Sequence, residues 1–359
     1  MPFKEKLKNF FLRFQKISLD EKIFFAKNLV VMIKAGLPLT QSVGVLSKQT
    51  KNKKFKAILE NIQNKLESGS SLAESLAANP DVFSEIFINM VEAGEKSGQL
   101  EKVLEEIADQ MKKTRELSSK LKRALTYPIF IIGIMILVGI FSFIFVIPKM
   151  MTIFEEMKID LPLPTRILIF VSKTITQKGY IILGVILLII LVFWKIIKTK
   201  RGRYFFHSSI LKLPIVGLLV KKVNIITFAR TFSSLLSSGI PLVQTFQITA
   251  KVLSNVVYQE KVAELSIQTS KGVTISNVLQ KYPELFPLVI SQMIEVGEKT
   301  GTLENILEDI IEFYEDDVSE TLSNFTSIIE PFLIVILGIG VAIMALAVIT
   351  PMYSLVQTI

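Results

Sequence analysis

The chain contains no cysteine and one histidine, His207. The first absence excludes disulfides, thiolate metal sites and cysteine nucleophiles. The second rules out an H-E-x-x-H helix and argues against a histidine-based zinc centre. No G-x-x-x-x-G-K-[ST] stretch occurs, so the phosphate-cradling loop of a P-loop ATPase is missing. No serine sits in G-x-S-x-G, and a Ser-His-Asp set would have to use His207. That histidine ends the basic stretch Thr199-Lys-Arg-Gly-Arg-Tyr-Phe-Phe-His207, which reads as a membrane-proximal linker. Glu315-Asp316-Asp317 has the composition of a metal cluster, but three successive helical residues point in different directions, as on a solvated face. The residues imply no catalytic set, no metal and no cofactor.

Charge is missing over long stretches: residues 128–147, 179–194 and 331–359 carry none. An uncharged run of about 20 residues, at ~1.5 Å per helical residue, matches the ~30 Å hydrocarbon core of a bilayer. The middle run is the shortest, but Phe193-Trp194 followed by Lys195 and Lys198 supplies an aromatic belt and lysines that reach the interface. With 50% hydrophobic residues, the chain is too apolar for an ordinary soluble enzyme. Three membrane helices are expected. Intramembrane proteolysis or transport would need polar side chains inside these runs, and Ser142 is nearly the only one. The N-terminus, MPFKEKLKNFFLRFQKI, is basic and amphipathic and lacks the apolar run of a cleavable signal peptide.

The formal charge of +9 could suggest nucleic acid, but its placement argues against that partner. Lys112, Lys113, Arg115, Lys120, Lys122 and Arg123 precede the first uncharged run; Lys195, Lys198, Lys200, Arg201 and Arg203 follow the second. Those flanks belong on the cytoplasmic side, beside anionic lipid. Both large polar regions are therefore expected in the cytoplasm, with the 149–178 loop and the C-terminus outside.

The chain also contains itself twice. Gly36-x-Pro38-Leu39 returns as Gly239-x-Pro241-Leu242. Met90-x-Glu92-x-Gly94-Glu95-Lys96-x-Gly98 returns as Met293-x-Glu295-x-Gly297-Glu298-Lys299-x-Gly301, and Pro128 and Pro148 return as Pro331 and Pro351. Every pair is 203 residues apart (36 to 239, 148 to 351), so the copies align without a gap. Two copies are too few for a solenoid; a duplicated helical bundle with its own membrane helix fits instead.

Helical periodicity and caps fill each copy. Ser18-Leu19-Asp20-Glu21 is a capping box, Gly36-Leu37-Pro38 stops the helix it opens, Asn52 and Ser71 begin others, and Gly94 breaks a fifth. A sixth starts near Gln99 and meets no strong breaker until Pro128. Leu161-Pro162-Leu163-Pro164-Thr165 and Leu213-Pro214-Ile215-Val216-Gly217 mark turns or extended elements. The expected protein is all-α: a basic segment at 1–17, bundle 1 at 18–126, membrane helix 1 at 127–148, an external loop at 149–178 and membrane helix 2 at 179–197. A basic linker at 198–223, bundle 2 at 224–329, membrane helix 3 at 330–351 and an external tail at 352–359 complete it. About six helices are expected in each bundle.

Several spaced motifs together resemble one family, that of the type II secretion F-proteins. They are Gly-[Leu/Ile]-Pro-Leu after a leading helix, Gly94-Glu95-Lys96-Ser97-Gly98-x-Leu100 with its copy Gly297-Glu298-Lys299-Thr300-Gly301-x-Leu303, and Lys120-Leu-Lys-Arg-Ala-Leu-Thr-Tyr127-Pro128 at the membrane entrance. The likeness runs from about residue 18 to 352. It departs at the front, where such proteins often carry a further N-terminal segment. The resemblance implies a non-enzymatic inner-membrane platform of type IV pilus assembly, type II secretion or a competence pilus. Its implied partners are a cytoplasmic hexameric motor ATPase, pilin-like subunits, other inner-membrane assembly proteins, membrane lipid and further copies of itself as a homo-oligomer. A subunit of a membrane transporter or channel is the alternative, and it would need a polar path through the bilayer.

Individual residues then invite roles. Gly94, Gly98, Gly297 and Gly301 lie between helices and suit left-handed caps or partner contacts. Glu92, Glu95, Glu295 and Glu298 either cap the following helix or present carboxylates to a motor or to the other bundle. Lys51-Asn52-Lys53-Lys54 reads as solvated charge or a motor-facing patch. Gly36, Pro38, Gly239 and Pro241 stop and restart helices. At the membrane entrance stand Arg123, Tyr127, Pro128, Glu330 and Pro331; the prolines are expected to kink their helices. Glu330, which replaces Tyr127 in the second copy, is expected to pair with Arg123, Lys221 or Lys222, or with a pilin's charged terminus. Gly338-x-Gly340, Ala342, Ala345 and Ala347 offer a small-residue surface for close helix packing.

Overall fold

The computed structural model describes residues 16–156 and 163–356, and every regular element among them is helical. Most of the basic 1–17 segment, Leu161 and Pro162, and residues 357–359 lie outside the described residues. Two compact units divide the chain: residues 1–119 with 210–318, and residues 120–209 with 319–359.

The first repeat follows its caps. In α1 (Leu19–Lys34) the Ser18 hydroxyl accepts from the Glu21 N–H at 3.2 Å while the Glu21 carboxylate accepts from the Ser18 N–H at 2.7 Å. Each such cap contributes about 1 kcal/mol. Gly36 follows α1, and Pro38 occupies the N-cap of α2 (Leu39–Gln49). Asn52 Oδ1 caps α3 (Lys53–Glu67) by accepting from Lys54 and Phe55 N–H groups. Ser71 and Glu74 form a second capping box on the short α4 (Leu72–Ala77). Next come α5 (Glu85–Ser97) and the long α6 (Leu100–Phe141). At the centre, Phe25, Phe55, Phe83 and Phe87 stack edge and tilted, with ring centroids 5.2–6.3 Å apart.

In the second unit α6 gives way to a π-helical turn at Ser142–Val146, then α7 (Ile147–Glu156), α8 (Leu163–Lys198) and α9 (Lys200–Leu211). The Ser142 hydroxyl donates to the Val138 carbonyl at 2.8 Å and Ser172 to that of Phe143 at 2.6 Å, so both serines are satisfied by backbone. Three stretches are long and apolar enough to cross a membrane: Leu100–Thr152, Thr165–Lys198 and Leu303–Leu346. Their most apolar windows are at most 6% buried by protein, far beyond what a soluble surface presents to water.

One expectation changes here. The 149–178 loop is largely helical, because residues after Pro164 keep apolar spacing and proline suits a first helical turn; α8 breaks its dihedrals only at Lys178, φ −121° and ψ 17°. α6 continues through Pro128, so the helix of the bundle and the first apolar stretch are one element, as the missing breaker before that proline implies.

The second repeat comprises α10 (Pro214–Ser237), α11 (Leu242–Val252), α12 (Val256–Thr269), α13 (Ile275–Leu279), α14 (Leu288–Thr300) and α15 (Leu303–Val356), which runs through Pro331. Its first helix starts at Pro214 rather than near 224, since proline at the first position removes only a donor that no helix uses. Most of the expected basic linker is thus helical. Gly239 follows α10, and Pro241 is the N-cap of α11. Phe228, Tyr258 and Phe286 repeat the aromatic centre, with centroids 5.4 and 5.6 Å apart. Leu235, Ile240 and Ile248 from this repeat are buried in the core of the first, so the two bundles share one apolar interior.

Candidate functional site

The doubled Glu-x-Gly-Glu-Lys-x-Gly motif falls on the C-terminal end of α5 and of α14. Gly98 and Gly301 are left-handed C-caps, φ 70° and 74°. Gln99 N–H reaches the Gly94 carbonyl at 2.8 Å and Gly98 N–H that of Glu95 at 3.3 Å, a Schellman closure. Gly94 and Gly297 are not breaks, contrary to expectation; both lie inside the helix. What requires glycine there is close approach. A Cβ on Gly94 would stand 3.0 Å from Val103 Cβ, and one on Gly297 3.0 Å from Leu303 Cα.

The carboxylates divide into two kinds. Glu95 Oε1 and Oε2 accept from the Leu72 and Ala73 N–H groups at 2.6 and 3.0 Å. Glu298 accepts from Ile275 and Ser276 N–H at 2.5 and 3.0 Å, and from the Ser276 hydroxyl at 2.7 Å. Each therefore caps the preceding short helix, α4 or α13, where the sequence offered either a cap on the following helix or a partner contact. The reason is packing: α4 lies against α5 and α13 against α14, which brings those free N–H groups to the motif. Glu92 and Glu295 face outward, each bonded at 2.6 Å to the lysine one turn on, Lys96 or Lys299.

A polar seam that the sequence reading did not identify joins the two repeats. The Ser237 hydroxyl donates to Glu106 at 2.5 Å, the Ser234 hydroxyl meets Met90 Sδ at 3.5 Å, and Lys251 pairs with Glu85 at 2.6 Å. An open cleft of about 470 Å³ follows, lined among others by Glu106, Asp109, Arg230, Glu308, Glu312 and Glu315. Arg230 is 7% exposed and pairs with Glu315; behind it Lys222 pairs with Asp317 at 2.6 Å. Burial holds the Glu106 carboxyl above its ordinary range, against the bond from Ser237. Burial likewise lowers the Arg230 guanidinium, against the attraction of Glu315. Among the described residues no three histidines or carboxylates are grouped to hold a metal ion. The signal for the seam was present in the repeat itself: Ser233 and Ser234 stand where the first copy has Val30 and Val31.

At the membrane entrance Arg123, Tyr127 and Glu330 are exposed, whereas Pro128 is buried. Glu330 has no ion pair with Arg123, Lys221 or Lys222, and Lys222 is engaged by Asp317 instead. Lys54 lies in the cap of α3 through its backbone N–H, and Lys51 and Lys53 are exposed.

Fold and site together define a duplicated all-α integral membrane protein whose signature residues build tight interhelical joints. The family model for type II secretion system protein F matches this chain twice, over residues 25–148 and 228–351. The chain belongs to that family. It is 31% identical over 341 residues to the type IV pilus assembly protein PilC of Thermus thermophilus, covering 95% of this chain and 84% of that one. It is 32% identical over 337 residues to PilC of Myxococcus xanthus (94% and 81%), and 30% identical over 351 residues to the type II secretion system protein F of Aeromonas hydrophila (97% and 89%). It is thus an inner-membrane component of the type IV pilus or type II secretion class.

Proposed function

We propose that the chain is a non-enzymatic platform that couples a cytoplasmic hexameric motor ATPase to the insertion or extraction of pilin-like subunits. Both bundles face the cytoplasm, and the C-terminus lies outside. The observation that carries this reading is the pair of continuous helices, α6 and α15. Each begins at a tight Gly98 or Gly301 joint in a bundle and runs without a linker into an uncharged stretch. Displacement of a bundle is then passed along a helix instead of being absorbed by a loop. The cationic flanks of the uncharged runs support the orientation. Glu92 and Glu295, outward on the joints, are the acidic groups offered to a basic motor surface. Glu330, exposed at the membrane entrance with no ion-pair partner among the described residues, is the one offered to a pilin's amino terminus.

Crosslinking in cells expressing the tagged full chain, followed by purification and mass spectrometry, tests this. A hexameric ATPase joined to the bundles and pilin-like proteins joined to the apolar helices are expected. The pilin product should be lost in Glu330→Gln while the protein still folds. Recovery of neither partner, or ATP hydrolysis above background by the purified chain alone, would overturn the reading.

A further inference from the structure

The seam between the repeats is not symmetric. The surface that the first repeat contributes lies on α5 and the start of α6; the surface that the second contributes lies on α10 and α11. Because the repeats share one backbone plan, each surface exists twice, and one copy of each is left over.

Equivalent positions show it. Ile86 on the covered face of α5 is 7% exposed, whereas its counterpart Val289 on α14 is 59% exposed. Ser234 on the covered face of α10 is 6% exposed, whereas its counterpart Val31 on α1 is 63% exposed. Arg230 is buried and its counterpart Lys27 exposed; Leu235 is buried and its counterpart Met32 only partly so.

We propose that the leftover face of α14 and α15 in one copy of this chain receives the leftover face of α1 and α2 in another, repeating between chains the seam that exists within one. Two of the three seam contacts have compatible counterparts on the open faces, and the third, Lys251–Glu85, becomes Lys48 against Leu288. The Ser234–Met90 contact becomes Val31 against Met293. The Ser237–Glu106 hydrogen bond becomes Lys34 against Asp309, a charge pair. The open first-repeat face adds Lys27, and the open second-repeat face adds Asp316 at the position of Lys113. Lys34 now shares Glu101 and Glu105, at 3.7 and 2.8 Å, but all three are exposed and such pairs bind weakly. The chain's own residues 1–15 are basic, so their charge matches that of Lys27 and Lys34 instead of opposing it. A contact of this kind is head-to-tail: the two surfaces differ, so it propagates until a rotation closes it. The proposal rests on the seam and is independent of any motor or pilin.

The chain's lack of cysteine makes a direct test available. Full-length Val31→Cys, Met293→Cys and the double variant are treated with a short bis-maleimide in native membranes. Ser234→Cys with Met90→Cys, which should close within one chain, sets the standard. The double variant is expected to give dimers and a ladder of larger products, and neither single variant should do so. Lys34→Glu introduced into the double variant should lower the yield about tenfold, and Asp309→Lys added to it should restore the yield. Crosslinking by the Val31→Cys single variant alone would mean a two-fold contact and overturn the proposal. So would a double variant that gives no intermolecular product while the standard closes.

Discussion

The two repeats carry one backbone plan with different polar wiring. The carbonyl of Val82 and its counterpart at Leu285 both face inward and both need a donor. In the first repeat Lys22 reaches it, and burial holds that lysine below its usual range. In the second the Tyr258 hydroxyl does so at 2.6 Å, its own ionisation pushed up by burial. The positions are exchanged: Ile225 stands where Lys22 would, and Phe55 where Tyr258 would. Apolar spacing, glycine joints and prolines are thus common to both halves, while buried polar atoms are satisfied by whichever side chain can reach them.

The sharpest contrast lies between Arg230 and Lys27. Arg230→Ala removes the buried cation that pairs with Glu315 and should cost about 2–3 kcal/mol, toward the low side for a broken buried pair because Glu315 is about one-third exposed. Lys27→Ala, at the equivalent exposed site, should stay within about 0.5 kcal/mol. Urea unfolding of the detergent-solubilised chain measures both; equal losses would erase the distinction between a covered and an open face. A smaller difference separates the joints. Ser71 and Glu74 cap α4 besides Glu95, but Thr274 gives α13 no side-chain cap and Asn277 replaces the glutamate. Glu298→Ala should therefore cost about 2 kcal/mol and Glu95→Ala about 1 kcal/mol in the same assay. The reverse order would show that the Ser71 box is redundant.

The smallest expected effect concerns Glu106, whose counterpart Asp309 is exposed. Its folded carboxyl binds protons more readily than the unfolded one, so its contribution falls as pH rises from the ordinary glutamate range through the raised value. Glu106→Gln should flatten that slope and stabilise the chain near neutrality by less than about 1 kcal/mol, discounted for its partial exposure.

Much of this was legible beforehand. The all-α class, the duplication and the three apolar helices follow from periodicity and missing charge, and the Ser18, Asn52 and Ser71 caps from local chemistry. Position within the motif was not legible. Gly94 looks like a break because glycine usually is one, and only the approach of Val103 shows that it is a contact. For Glu95 the sequence offered a cap on the following helix or a carboxylate shown to a partner, because sequence order favours the next N-terminus, whereas packing supplies the previous one. The seam was missed because serine at positions 233 and 234 has meaning only beside the valines of the other copy.

Pro128 and Pro331 sit within helices that do not stop for them. A proline there forfeits one backbone hydrogen bond in advance, so bending at that point breaks one fewer than anywhere else along the rod. α15, with 54 residues, is about 80 Å long. Its compliance, like that of α6, is concentrated at one residue, and the two soft points occupy the same register in both halves. Torque applied to either stem would meet the same spring at the same distance from its glycine joint.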